Sequence, residues 1–195
     1  MIQEIINLGR RTAIVTRYSQ AHLSRPENVL EHTGFVCLFC MIVGSRHPSV
    51  DMGELMKKAV VHDLEESMIG DVANPVKYAN KEIHTALENI GRIAITEIAH
   101  DVGFNSLPGI WARSKDETIE GRIVKIADVV SVLGKIYEEV VLYKNHSIVD
   151  YAENTMRFFV DRLEWEQDDV LKSVLIEAHT INQDILNRRS EHGDL

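Results

Sequence analysis

Only two cysteines and four prolines occur in 195 residues. Cys37 and Cys40 have C-x2-C spacing, half of a zinc-binding set with no second half, and they lie in the apolar run GFVCLFCMIVG. Two small core residues account for them better than a metal knuckle or a disulfide framework. No sustained apolar–polar alternation appears, which argues against a β-rich fold. No apolar run approaches the ~20 residues that cross a bilayer. The start, MIQEIINLGRRT, lacks the basic-then-apolar pattern of a secretory signal. A cytoplasmic protein with no membrane partner is therefore expected. Basic residues are the minority, 21 Lys and Arg against 30 Asp and Glu, for a net charge of −9. Such a chain is poorly suited to a long nucleic acid, whose backbone needs clustered Lys and Arg. A small phosphorylated substrate is still compatible, because a divalent cation cancels two ligand carboxylates and a few local basic groups can hold phosphate.

What is present is helical periodicity almost throughout, with apolar residues at 45%. The length suits one domain over 1–195 with its own core. The pattern predicts an all-α fold, with helices near 2–16, 28–43, 52–68, 81–102, 118–144, 147–165 and 168–189. Residues 17–27 read as a loop, and GFNSLPGIWARSKD as loop or short helix. Gly70, Asp71 and the Asn74–Pro75 step break the third helix. The final SEHGDL is expected to fray.

Within this pattern, metal-ligand residue types interrupt apolar helix faces. His62 and Asp63 are adjacent in MKKAVVHDLEESMIGD, His32 lies 30 residues upstream, and Asp128 lies 65 residues after Asp63. Two imidazoles and two carboxylates suit a borderline divalent metal. Each residue alone has a bland reading, as core histidine, cap or salt-bridge partner. The set has a better one, a metal site within 28–130. On a continuous helix Glu66 is i+4 from His62 and i+3 from Asp63, so all three share a face. That placement makes Glu66 the candidate general acid/base. Lys57 and Lys58 read as a solvated pair, and the remaining histidines fall in no pattern.

Three blocks carry a family resemblance: ENVLEH at 27–32, HDLEESMIGDVANPVKY at 62–78, and VKIAD ending at Asp128. Together they resemble the HD-domain phosphohydrolases, and within them the 5′-deoxynucleotidases of the YfbR type and their phage relatives. The resemblance covers about residues 10–140; the helices at 147–189 match in type only. It implies an HD-domain helical bundle, often a homodimer or higher homo-oligomer. It implies a divalent cation (Co, Mn, Zn or Mg) on His32, His62, Asp63 and Asp128, with Glu66 in proton transfer. Arg17, fifteen residues before His32, takes the place of the family's phosphate-binding arginine. Asp71 matches an acidic residue near the sugar, a catalytic and substrate-binding candidate, and Lys77 in NPVKY is a further substrate-binding candidate. Tyr18 stands where the bacterial enzymes carry tryptophan, so it is the expected wall against the deoxyribose.

The implied activity is metal-dependent removal of the 5′-phosphate from deoxynucleoside monophosphates. The alternative on the same site is a deoxynucleoside triphosphate triphosphohydrolase, which would draw on Lys77, Lys81 and Arg113 for extra charge. A non-catalytic nucleotide-binding module is more remote, because it has no use for Glu66. A di-iron oxygenase would need further histidine ligands.

Overall fold

The computed structural model describes residues 1–77 and 79–192, the side chains of 74, 75 and 189–192 excepted. Tyr78 of the NPVKY block and the last three residues of the expected frayed tail lie outside them. Ten α-helices occur among the described residues: α1 (Ile2–Ile14), α2 (Val29–Gly44), α3 (Met52–Val61), α4 (Glu66–Ile69), α5 (Asn74–Lys77), α6 (Lys81–Val102), α7 (Leu107–Ala112), α8 (Ile119–Tyr137), α9 (Asp150–Trp165) and α10 (Asp169–His192). No strand is among them; one isolated antiparallel bridge pairs Thr16 with Asn28.

Local chemistry sets most boundaries. Asn28 begins α2 with a capping box: its side chain accepts from Glu31 N at 3.0 Å, and Glu31 accepts from Asn28 N at 3.1 Å. Asn80 caps α6 by accepting from Ile83 N, and Gly103 ends that helix in the left-handed region, φ 69°. Thr118 caps α8 through Gly121 N.

The core forms where α2, α3, α8, α9 and α10 pack together. Val36, Cys40, Leu55, Ile126, Phe159 and Leu171 are fully buried there. Burial contributes on the order of 1.5–3 kcal/mol per large side chain. A smaller cluster, with Val61, Ile95, Ile98 and Leu107, joins α3 to α6 and α7. Both cysteines are free thiols, Cys40 in the core and Cys37 half-buried. No helix among the described residues is long and apolar enough to cross a membrane. The outer face of α2 leaves Leu30, Leu38, Met41 and Ile42 exposed.

Three expectations need correction. The helix expected over 52–68 is two helices, interrupted by a turn at 62–65. His62 Nδ1 donates to Ala59 O at 2.7 Å, using the acceptor that a continuing helix would offer to the Asp63 N–H. The chain tightens into i+3 turns, with Glu66 N bonded to Asp63 O at 3.2 Å. The helix expected over 118–144 ends at Tyr137 and passes into a π-helical turn, Glu138–Leu142. Lys58 is not solvated: it is 2% exposed, and its Nζ donates to Asp116 Oδ1 at 2.8 Å and Thr118 Oγ1 at 2.7 Å.

Candidate metal centre and active site

Two helices and one turn bring the metal-ligand types together. His32 comes from the buried side of α2, His62 and Asp63 from the turn after α3, and Asp128 from α8 between buried Ala127 and half-buried Val129. One ligand atom from each of the four lies within 4.8 Å of the others. His32 Nε2 is 3.1 Å from His62 Nε2, 3.3 Å from Asp63 Oδ2 and 3.2 Å from Asp128 Oδ1. His62 Nε2 is 3.3 Å from the same Asp63 oxygen.

The proton arrangement tests whether a cation fits. Ala59 O can only accept, so His62 Nδ1 is the donor, and in a neutral ring the lone pair then sits on Nε2. That lone pair, two carboxylate oxygens and His32 Nε2 all converge on one point. A set of converging acceptors is satisfied either by a proton on His32 or by a metal ion. Burial and Arg17 both disfavour imidazolium, yet bonds to Asp128 and Asp63 raise His32 above its ordinary value. Ser131, one turn after Asp128, sits 2.9 Å from His32 Nδ1 and fixes the ring.

Lys115 completes the charge pattern, and the sequence reading missed it. Its Nζ is 3.1 Å from Asp63 Oδ1 and 2.7 Å from Asp128 Oδ2. Each aspartate thus turns one oxygen to the histidines and the other to one ammonium. Burial alone would lower Lys115, but Asp128 and Asp63 raise it well above the usual lysine range. Burial alone would raise both aspartates. His62 and Lys115 hold Asp63 far below the ordinary carboxylate range, and Lys115 chiefly does the same for Asp128.

Glu66 is 6% exposed at the edge of this group, and its Oε2 has no partner among the described residues. Burial, then the charges of Asp63 and Asp71, push it up to about 9 against the pull of Arg17. Glu65 points elsewhere and accepts from Trp111 Nε1 at 2.5 Å. Burial and Asp63 push it up to about 7.

A cavity of about 590 Å³ opens beside the centre. Arg17, Asp63, Glu66, Asp71, Lys77 and Asp128 all border it. Arg17 is 8% exposed and donates from Nη1 to Glu27 Oε1 at 2.8 Å. Its backbone N–H also bonds to Glu27 O, so the expected loop is pinned rather than free. Asp71 follows Gly70, whose φ of 79° and ψ of 163° belong to a region that is essentially glycine-only. Asp71 Oδ2 accepts from Tyr18 N at 3.1 Å. Tyr18 is 8% exposed with φ 57°, and it borders a cleft of about 40 Å³ rather than the large cavity. Tyr151 borders both, and its ring meets Tyr18 edge-on at 5.4 Å. A second cavity, about 380 Å³, flanks the centre on the α6–α7 side and shares Asp63, Glu66, Lys77 and Lys115.

Residues 6–177 match the family described as "5′-deoxynucleotidase YfbR-like". The 5′-deoxynucleotidase YfbR of Salmonella arizonae is 30% identical over 141 residues, covering 66% of this chain and 69% of that protein. Among solved structures, an HD-domain phosphohydrolase from Listeria innocua superposes with a TM-score of 0.70 at 22% identity, over 96% of this chain and 98% of that one. A cyanophage S-2L HD phosphohydrolase (DatZ), solved with dA and one catalytic Zn²⁺ ion, gives 0.66 at 20% identity, over 92% and 95%. These structural likenesses establish the HD-domain fold.

Proposed function

The chain belongs to the YfbR-like 5′-deoxynucleotidase family, and from that premise we propose that it hydrolyses the 5′-phosphate of deoxynucleoside monophosphates at the His32–His62–Asp63–Asp128 centre. The observation that carries the reading is the convergence of four ligand atoms at the mouth of a cavity that also holds Arg17 and Glu66. Of the three extra charges that a triphosphate would call on, Lys77 borders both cavities and Lys81 and Arg113 border neither.

His32, His62, Asp63 and Asp128 would hold one divalent cation. When bound, it supplies a polarised phosphoryl oxygen and a water of lowered pKa. The chain's own residues supply the rest. Arg17 presents a planar fork to two phosphate oxygens, and its pairing with Glu27 fixes where that fork points. Lys77, at the cavity edge, adds positive charge toward the phosphate. Burial favours the protonated form of Glu66 in the metal-free protein, and its unpartnered oxygen can hand a proton to the leaving 5′-oxygen and recover one from the attacking water. The P–O5′ bond breaks, and the products are a deoxynucleoside and inorganic phosphate. Asp71 lies beside Glu66 toward the sugar. Tyr18 acts on the sugar end by holding Asp71 through its N–H and by backing Tyr151.

The exposed apolar strip on α2 supports self-association as a homodimer or higher homo-oligomer. The substrate class and the two free thiols suit a cytoplasmic protein, and we read residues 1–195 as one catalytic domain. The test is to incubate purified protein with Mn²⁺, Co²⁺, Zn²⁺ or Mg²⁺ and a panel of mono-, di- and triphosphates. Deoxynucleoside plus inorganic phosphate is expected from monophosphates. Tripolyphosphate release from a triphosphate, with monophosphates untouched, would overturn the reading.

A further inference from the structure

One face of α8 reaches past the metal centre. Asp128, Ser131 and Lys135 stand at i, i+3 and i+7, so they follow one another along one side of the helix. Asp128 belongs to the converging four, and Ser131 fixes the His32 ring. Lys135, 3% exposed, turns its ammonium elsewhere: Nζ donates to Arg25 O and to Glu138 Oε2, both at 2.6 Å. Glu139, four residues on and fully buried, accepts from Ser24 N at 2.7 Å and Arg25 N at 3.1 Å, with Lys135 Nζ 2.9 Å away. A buried ion pair thus spends its hydrogen bonds on the main chain of a loop 110 to 115 residues away in sequence.

That loop is the one that carries Arg17. Its base is closed by Arg17 N bonded to Glu27 O at 2.9 Å and Val29 N bonded to Val15 O at 3.0 Å. The side chains close it too, with Arg17 Nη1 on Glu27 Oε1 at 2.8 Å. Between the clamped Arg25 and Glu27 stands Pro26, whose ring fixes φ and restricts the residue before it. A displacement of Arg25 is therefore passed to Glu27 with little slack, and Glu27 aims the guanidinium. Tyr18, next to Arg17, has φ 57°, a region that a bulky residue keeps only where its surroundings over-determine it. The chain leaving the π-helical turn supplies the outer half of the grip. Asn145 donates from Nδ2 to Glu139 Oε2 and to His22 O, both at 2.7 Å.

We propose that Lys135 and Glu139 are positioning residues for phosphate: they hold Arg17 in register with the metal centre by tying the loop at 24–27 to the helix that carries Asp128. The proposal rests on the reading of Arg17 as the phosphate-holding group. Neither residue borders either cavity, so both act through Arg17. The cation and the guanidinium must meet one phosphate, and a misplacement of about 1 Å can cost about a hundredfold. With Asp128 and the loop's anchor on one helix face, a shift of α8 moves both together and leaves their spacing unchanged. Stability alone would be served as well by apolar packing, which escapes the desolvation of a buried ion pair.

The test is a double-mutant cycle read on binding. Calorimetry measures inorganic phosphate on the Mn²⁺-loaded protein for the wild type, Glu139→Gln, Arg17→Ala and the double variant. Glu139→Gln is expected to weaken phosphate by at least about fivefold with Arg17 present, and by less than about twofold in the Arg17→Ala background. The direction is itself informative, because deleting a negative charge would otherwise favour an anion. Mn²⁺ affinity is expected to stay within about twofold. In turnover the loss should fall on KM, with kcat within about threefold. Pro26→Ala, at an exposed position, loosens the same link without touching the buried pair. It is expected to weaken phosphate by at least about threefold, and it decides the matter if Glu139→Gln does not fold. Unchanged phosphate affinity in the folded variant, or equal losses with and without Arg17, reduces the pair to a structural role and overturns the proposal. An Arg17→Ala protein that binds phosphate as the wild type does refutes the phosphate role of Arg17, and the proposal with it.

Discussion

Replacing Lys115 with methionine keeps most of the length of the side chain and deletes its charge. At an effective dielectric near 20, an ammonium contributes roughly 5 kcal/mol of Coulomb attraction to a carboxylate at the Asp63 distance and about 6 kcal/mol at the Asp128 distance. Desolvation offsets much of this, and breaking one side of a buried pair typically costs about 3–5 kcal/mol. The Lys115 side chain retains 29% of its exposure, which favours the lower end, about 3 kcal/mol. That loss is expected in the metal-free protein, where Asp63 and Asp128 would lose the ammonium they share. A divalent cation supplies the missing charge, so the loss should shrink to about 1 kcal/mol when metal is present. By linkage, metal then binds the variant more tightly, by roughly thirtyfold for the 2 kcal/mol difference. Urea unfolding in EDTA and in excess Mn²⁺, with calorimetric Mn²⁺ titration, measures all three quantities. An Lys115→Met protein as stable as wild type in EDTA, or one equally weakened with and without Mn²⁺, would refute the reasoning.

Glu66→Gln should keep metal content and lose about 10²–10⁴-fold in kcat, the scale of a positioned acid/base; near-normal turnover returns Glu66 to a structural role. Arg17→Lys should raise KM or lower kcat/KM while metal content stays constant, because a point charge replaces the planar fork; steady-state kinetics with metal analysis reads it. Gly70→Ala meets nothing within 4 Å, so its cost is conformational, on the order of 1–3 kcal/mol, seen as a lower Tm, with a rise in KM if Asp71 is displaced. Glu139 is fully buried. Burial alone would raise it, but donors from Ser24 N, Lys135 and Arg25 N hold it down to about 2. Its stabilisation is therefore present above its ordinary value of 4.5 and lost as pH falls toward 2. Glu139→Gln should be less stable at neutral pH and show a shallower loss over that acid range in urea titrations; an unchanged acid profile would dismiss the network.

Helix α6 was legible to the residue, since an asparagine cap and a stop glycine bracket an uninterrupted pattern. His32, His62, Asp63 and Asp128 stood out because each interrupts an apolar face, and the fold brings all four together. The turn at 62–65 was not legible. Residues 52–68 have helical periodicity, and only the bond from a ring to its own helix's carbonyl shows why the helix stops. Lys115 was invisible for a different reason. In WARSKDE it is one charge among several, and its two partners are 52 and 13 residues away. Glu139 lay in what reads as a long helix with Lys135 four residues before it; its other donors come from the loop at 24–25 and from Asn145, which the pattern does not connect to it. Local spacing reveals elements and odd residues within them, whereas charge pairing across the fold leaves no period to read.

The orientation of His62 depends on Ala59 O, a main-chain atom. Side-chain replacement at position 59 alters volume and leaves that acceptor in place. A scan of substitutions around the centre would therefore pass over one of the contacts that aims its ligands. Reaching it takes backbone chemistry. An α-hydroxy acid in place of Val60 turns the 59–60 amide into an ester and makes the carbonyl a poorer acceptor. Such a semisynthetic protein retains every side chain at the site, so any fall in metal affinity would report on the main chain, with loss of one helical N–H as the control to match at a neighbouring position.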